Sequence, residues 1–237
     1  MEITRLSLAE GAKAARGVAV IIDVFRAFTC EPLLYACGAK RIVLEGDIGR
    51  CLAWRDRAVL VGEHDELPID GFDLTNSPYL ILKNGRAMFE GRTVVHRTTS
   101  GVTGALAALV RAERVYLASY PTARATAAVI LEQQPSVVSI VAMGIRSKSK
   151  APEDERCGDY IASLLTGTRY DHLAAVAEIV GHETAQKFLR GDKAYLPKED
   201  PVLCLQRDLF AFALEARVTD DGVEAVRVFP EAAAPED

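Results

Sequence analysis

The sequence predicts a three-layer α/β/α protein with a mixed, largely parallel sheet and a helical C-terminal part that ends in a β-hairpin. Two observations carry that expectation. Short apolar runs alternate with helical patterns as far as about residue 150. Continuous apolar runs mark strands buried on both faces, and their alternation with helices marks parallel order. Beyond that point two helical patterns follow in succession, and an Asp-Gly turn separates two strand-like runs.

The strand candidates are Val18–Ile22, Arg41–Leu44, 58–61, 93–96, 115–118 and Val137–Ala142. Between them, 32–37, 48–55, 102–111 and 122–133 have the apolar spacing and the Ala and Leu content of helices. Another helix is expected to open at Pro78, because proline fits a first turn, with Asn76 or Ser77 as its cap. Residues 158–165 read as a helix that ends in the loop Thr166-Gly167-Thr168. Residues 171–189 read as a second one, capped by Asp171 and closed by Gly191. Runs 214–219 and 223–229 read as a hairpin around Asp220-Asp221-Gly222. The segment 231–237 reads as a frayed tail. No repeat and no low-complexity linker interrupts the chain. Residues 1–237 are therefore expected to form one α/β body, with a C-terminal cover from about 158 to 237.

The chain has 237 residues, 49% of them hydrophobic, enough for a sizeable core. Net charge is −5 without a block of like charges, which argues against a nucleic-acid surface. No apolar run reaches the length of a membrane span, and MEITRLSLAE lacks the basic-then-apolar pattern of a signal peptide. The cysteines at 30, 37, 51, 157 and 204 form no C-x-x-C pair, so they read as reduced thiols in a cytoplasmic protein. His172, His182 and Trp54 read as surface or packing residues on helices.

Four polar segments follow strands, and the chemistry is expected there. The first is Asp23 to Thr29, behind Val18–Ile22. A carboxylate at the end of such a strand lies where open α/β sheets bind ligands, and Arg26 is an anion fork three residues on. The plainer alternative is that Asp23 caps the next helix and pairs with Arg26. The second runs VGEHDELPIDGFDLTNSP, from Val61 to Pro78. Glu63 beside Asp23 makes a carboxylate pair of the kind hard cations such as magnesium require. The third, HRTTSGVTG, brings Arg97, Thr98, Thr99, Ser100 and Gly101 to a helix start, where backbone N–H groups can cradle a phosphate. A plain Ser/Thr-rich cap is the competing explanation. The fourth, MGIRSKSKAPEDERCG, carries Arg146, Lys148 and Lys150, then Glu153 and Asp154. Its acids are ordinary partners of a helix dipole, and its basic loop is either a solvated face or a clasp for a second anion.

In this order the four segments resemble the 2-phosphosulfolactate phosphatase (ComB) family. The matching residues are Asp23-Val24-Phe25-Arg26-Ala27-Phe28-Thr29, Gly62-Glu63, Gly71-Phe72-Asp73 with Asn76-Ser77-Pro78, Thr98-Thr99 with Gly101, and Glu153-Asp154 with Gly158. The resemblance spans roughly residues 18 to 165. It implies an α/β fold with a mixed sheet, and magnesium-dependent hydrolysis of the phosphate ester of a sulfonated lactate, a step towards coenzyme M. On that reading Asp23, Arg26, Glu63 and Asp154 are the catalytic residues. Asp23, Glu63 and Asp154 supply the metal oxygens for Mg2+. Asn76, Ser77, Arg97, Thr98, Thr99, Ser100 and Gly101 bind substrate, and Arg146, from a loop more basic than the family's, is expected to join them. The expected partner is a small phosphorylated anionic acid, without nucleic acid or membrane, and a homo-oligomer is compatible. His64 and Ser100 stand where the family has arginine and asparagine. A non-catalytic anion-binding protein on the same scaffold is the alternative.

Overall fold

The computed structural model describes residues 1–233. Along the chain come β1 (Glu2–Ser7), α1 (Leu8–Ala14), β2 (Val18–Ile22), α2 (Ala27–Ala36), β3 (Arg41–Leu44), α3 (Ile48–Leu52), β4 (Val59–Gly62) and α4 (Pro78–Phe89). Then follow β5 (Thr93–Arg97), α5 (Gly101–Ala108), β6 (Arg114–Ala118), α6 (Ala123–Gln133), β7 (Val137–Ala142) and α7 (Pro152–Thr166). The last elements are α8 (His172–Gly181), α9 (Glu183–Leu189), α10 (Asp200–Cys204), β8 (Ala213–Thr219) and β9 (Gly222–Val228).

All nine strands among the described residues join one mixed sheet in the order β1-β7-β2-β6-β8-β9-β3-β5-β4. Two parallel halves make it up, β1-β7-β2-β6 and β3-β5-β4. The antiparallel hairpin β8–β9 joins them, pairing with β6 on one side and β3 on the other. The predicted hairpin is thus present, but it fills the middle of the sheet instead of lying in a C-terminal cover. Ile21 of β2, Val61 of β4, Val94 of β5 and Leu214 of β8 belong to one core, with Phe28 of α2 and Val102 of α5. The other face of the first half packs Val20 and Ile140 against Ile130 of α6 and Ile161 of α7. Leu60 and Val95 meet Cys51 of α3 on the far side of the second half. Helices thus cover both faces, as the apolar strands require.

The predicted strands all form, within a residue or two at their ends. Edge strand β1 and helix α1 were not expected. The run 32–37 is the end of a helix that starts at Ala27, and 158–165 is the end of one that starts at Pro152. Residues 171–189 form two helices, because His182 is extended and its ring accepts the Thr184 N–H. Asp171 caps α8 as expected. Of the tail, Glu231–Ala233 form a 3-10 turn and 234–237 lie outside the described residues. The five cysteines are free and buried, and no helix among the described residues is long and apolar enough to cross a membrane.

Candidate active site

Ile22, the last residue of β2, lies level with Ala118 of β6 and Ala142 of β7. Asp23 therefore projects past the ends of three adjacent strands, at the rim where helix N-termini gather. Its Oδ1 accepts the Ala27 N–H at 3.2 Å and so caps α2. Helix α5 from the other half of the sheet comes up against the same carboxylate. A Cβ on Gly101 would stand 2.6 Å from Ala27 Cβ and 2.9 Å from Asp23 Oδ2. Only glycine allows that approach, which is the physical content of the Thr-Thr-x-Gly pattern.

Asp154 ties the loops after β2 and β7 together from the first turn of α7. Its two oxygens accept the N–H groups of Val24 and Gly144, each at 2.7 Å. Gly144 has φ +65°, and a Cβ there would meet the Ser149 carbonyl oxygen at 2.2 Å, so the turn needs glycine as well. Beside Asp154, Glu153 is buried and accepts a hydrogen bond from the Thr184 hydroxyl at 2.8 Å. That contact brings α9 over the cavity.

Glu63 performs the matching task in the second half. One of its oxygens accepts the Thr99 N–H at 2.6 Å; the other accepts the Glu66 N–H and the Thr99 hydroxyl. Arg97 braces the same loops from behind, donating to the Glu63 carbonyl, to Thr99 Oγ1 at 3.2 Å and to the Gly46 carbonyl at 3.3 Å. Thr98 Oγ1 accepts the Val102 N–H at 2.9 Å and starts α5. The side chains of Glu63 and Thr98 thereby use the Thr99 and Val102 amides on either side of Ser100-Gly101.

Arg26 is buried and pairs with Asp200 of α10, not with Asp23. Its Nη1 donates to Asp200 Oδ2 at 3.0 Å and to the Tyr195 carbonyl at 2.9 Å. Nε and Nη2 take no partner among the described residues and are left for the cavity. Asp200 also accepts from the Ser77 hydroxyl at 2.8 Å and the Tyr79 N–H at 3.0 Å. Helix α9 roofs the opening. Phe188 packs edge-on against Phe25 at 5.8 Å between centroids, with the Arg26 guanidinium 5.3 Å from its ring centre. Lys187 and Arg146 both reach Glu66, across the mouth.

Negative charge dominates this cavity. Burial, together with Glu63 and Glu153, raises Asp23 from its ordinary range to about 7, despite N–H groups of Ala27 and Gly101. Burial and the charges of Asp23 and Glu153 hold Asp154 well above the usual carboxylate range. Burial also raises Glu153. Among the described residues no group of three or more His, Cys, Asp or Glu side chains is arranged to hold a metal ion. Asp23, Glu63 and Asp154 are therefore not a preformed cage. An oxygen-only donor set with uncompensated charge nevertheless suits a magnesium ion. That ion keeps several waters and takes one or two carboxylates, with substrate phosphate completing its shell.

The model of the 2-phosphosulpholactate phosphatase family matches residues 4–215. The chain belongs to this family. A protein of Bacillus subtilis named probable 2-phosphosulfolactate phosphatase is 32% identical over 215 residues, 88% of this chain and 90% of its own length. Proteins of the same name from Caldicellulosiruptor saccharolyticus and Thermus thermophilus are 36% and 32% identical. These alignments cover 72% and 84% of this chain, and 71% and 78% of the relatives.

Of the residues expected at the site, Asp23, Arg26, Glu63, Asn76, Thr99, Ser100, Arg146 and Asp154 line one cavity. Ser77, Arg97, Thr98 and Gly101 stand behind it and shape its walls. Ser77 caps α4, accepting the Leu80 N–H at 3.2 Å. The basic loop divides: Arg146 reaches the mouth, Lys148 is exposed away from the cavity lining, and Lys150 pairs with Glu155 at 3.3 Å. His64 is exposed outside the lining, so its departure from the family residue does not touch the cavity, whereas Ser100 does. Sequence reasoning missed Glu66, Lys187, Phe188 and Asp200, and read Glu153 as a dipole partner. Only the Glu153-Asp154 pair had a local signal.

Proposed function

We propose that this cavity performs magnesium-dependent hydrolysis of a phosphate monoester on a small hydroxy acid that carries a second anionic group. As a family member the chain is a phosphoric monoester hydrolase; the metal, the substrate and the residue roles are the reading offered here. The observation that carries it is the convergence of four buried carboxylates with Arg26 at the joined strand ends. Asp23 would be the principal ligand of such an ion, with Glu63, Glu153 and Asp154 around it. The bound ion would offset phosphate charge and polarise a water. Arg26, fixed through Nη1, presents its remaining nitrogens to phosphoryl oxygens as charge spreads over them. Water oxygen bonds to phosphorus, the ester P–O bond breaks, and the departing alcohol oxygen takes up a proton. The attacking water releases the proton that the departing alcohol oxygen takes up, so the step balances without a proton held on Asp23. The five buried free thiols suit a reducing cytoplasm.

The test is phosphate release from phosphorylated hydroxy acids, with magnesium and with a chelator. Release that stops with chelator and returns with magnesium is expected. Activity indifferent to chelator removes the metal from the reading. Tight binding of phosphorylated acids without turnover across the panel establishes the anion-binding alternative.

Arg146 gives a second prediction. It is about half exposed and already paired with Glu66 at 3.3 Å, so it holds a substrate anion at a wet mouth. Arg146→Ala should raise KM about ten-fold for a sulfonated or carboxylated substrate, roughly 1.4 kcal/mol. KM for p-nitrophenyl phosphate, which lacks that group, should change less than two-fold (about 0.4 kcal/mol). Equal changes on both substrates make this loop a solvated face.

A further inference from the structure

Behind the cavity wall lies a buried side-chain chain that the proposed chemistry has not used. His96 of β5 is fully buried, with Nδ1 2.9 Å from Glu31 Oε1 and Nε2 2.9 Å from Asn76 Oδ1. Glu31, on α2, is fully buried and its other oxygen has no partner. Asn76 lines the cavity. Both ring nitrogens thus face side-chain oxygens. An amide oxygen can only accept, so Nε2 carries its N–H towards Asn76, while Glu31 holds the ring through Nδ1. With Oδ1 held on the ring, the Asn76 Nδ2 group is the end of the amide left to face the cavity.

We propose that Glu31 and His96 are positioning residues that lock the Asn76 amide so that its N–H donor points at a phosphoryl oxygen. The proposal rests on the phosphatase reading for the identity of the oxygen, but not for the relay itself. A donor fixed beforehand loses no orientation in the transition state, which is where its contribution to rate arises. The relay also explains why Asn76 does not cap α4: its side chain is already committed, and Ser77 takes that task.

Two measurements test it. In phosphate release, Asn76→Ala should lower kcat by roughly 100-fold, as the loss of an oxyanion donor does. Glu31→Gln should lower kcat about ten-fold with KM within about two-fold, as removal of an orienting partner does. The double variant should be no slower than Asn76→Ala, because the relay acts only through that amide. Losses that multiply in the double variant overturn the proposal, as does an unchanged kcat in Glu31→Gln. The second measurement uses the wild-type protein and needs no turnover. Ring 15N shifts of His96 should show the proton on Nε2, and inorganic phosphate should shift the Asn76 side-chain N–H resonance. A ring with no proton on Nε2, or an amide resonance blind to phosphate, overturns the relay even if Glu31→Gln fails to fold. Wild-type protein that releases no phosphate yet shows both signatures counts against the phosphatase reading alone.

Discussion

Asp23→Asn should abolish phosphate release and yet make the metal-free protein more stable at pH 8. Asparagine keeps an oxygen for the Ala27 N–H but removes a charge that burial and two neighbouring carboxylates oppose. The sign follows from proton binding. The folded protein holds the Asp23 proton up to about pH 7, whereas the carboxyl releases it near 3.8 when the chain is unfolded. Stability is therefore lost as pH rises between those values, and the full penalty stands above pH 7. Three units of difference correspond to about 4 kcal/mol. The variant should gain up to that amount at pH 8 and nothing near pH 4, as read by denaturant titration in the presence of a chelator. The same gain at both pH values would show that the carboxylate is not under electrostatic strain. Magnesium should raise the melting temperature of the parent at pH 8 and leave that of Asp23→Asn unchanged.

Asp200→Ala should be the most destabilising single change at the site. Asp200 is fully buried and receives Arg26, Ser77 and the Tyr79 N–H. Burial raises its carboxyl in spite of the Arg26 charge, so the pair itself adds little stability. Removing one member is different, because the guanidinium is then buried without its counter-ion. Such losses run to about 3–5 kcal/mol. For a chain of this length that is a fall of roughly 6–20 °C in melting temperature. Activity should fall with it even below the melting range, since Arg26 loses the anchor on Nη1. Asp200→Asn, which keeps an acceptor, should lie between. A melting temperature within 2 °C (about 1 kcal/mol) of the parent would mean that Arg26 finds another partner.

The parts of this fold that were legible in the sequence are those whose signal is local. Val18–Ile22 is apolar at every position because helices cover both its faces, and so it reads as a strand. Asp23 reads as a site residue because the apolar run stops at it. Strand β1 escaped notice because it lies at the edge, half-buried, and EITRLS mixes both kinds of residue. The place of the hairpin in the sheet was also hidden. Residue pattern tells what forms a strand, while β8 and β9 choose partners set by how the two halves meet. The alternative that Arg26 pairs with Asp23 fails because its ionic partner, Asp200, is 174 residues away. The roof was equally invisible. Lys187 and Phe188 belong to a short helix whose spacing fits any packed surface, and contacts with residues far away in sequence, Glu153, Glu66 and Phe25, bring them to the cavity.

The central hairpin has a consequence for how the chain acquires its shape. Val43 of β3 pairs with Glu224, and Leu117 of β6 pairs with Leu214. During synthesis both parallel halves can therefore be assembled while each still has a bare edge, with nothing between them. Such edges invite pairing with each other or with another chain. The strands that separate and join them are made after every other strand in the sheet. A nascent chain halted before residue 213 would hold both halves of the catalytic rim without the spacer that sets them face to face. Translation pausing or truncation in that region should therefore yield aggregation-prone protein, however well each half folds.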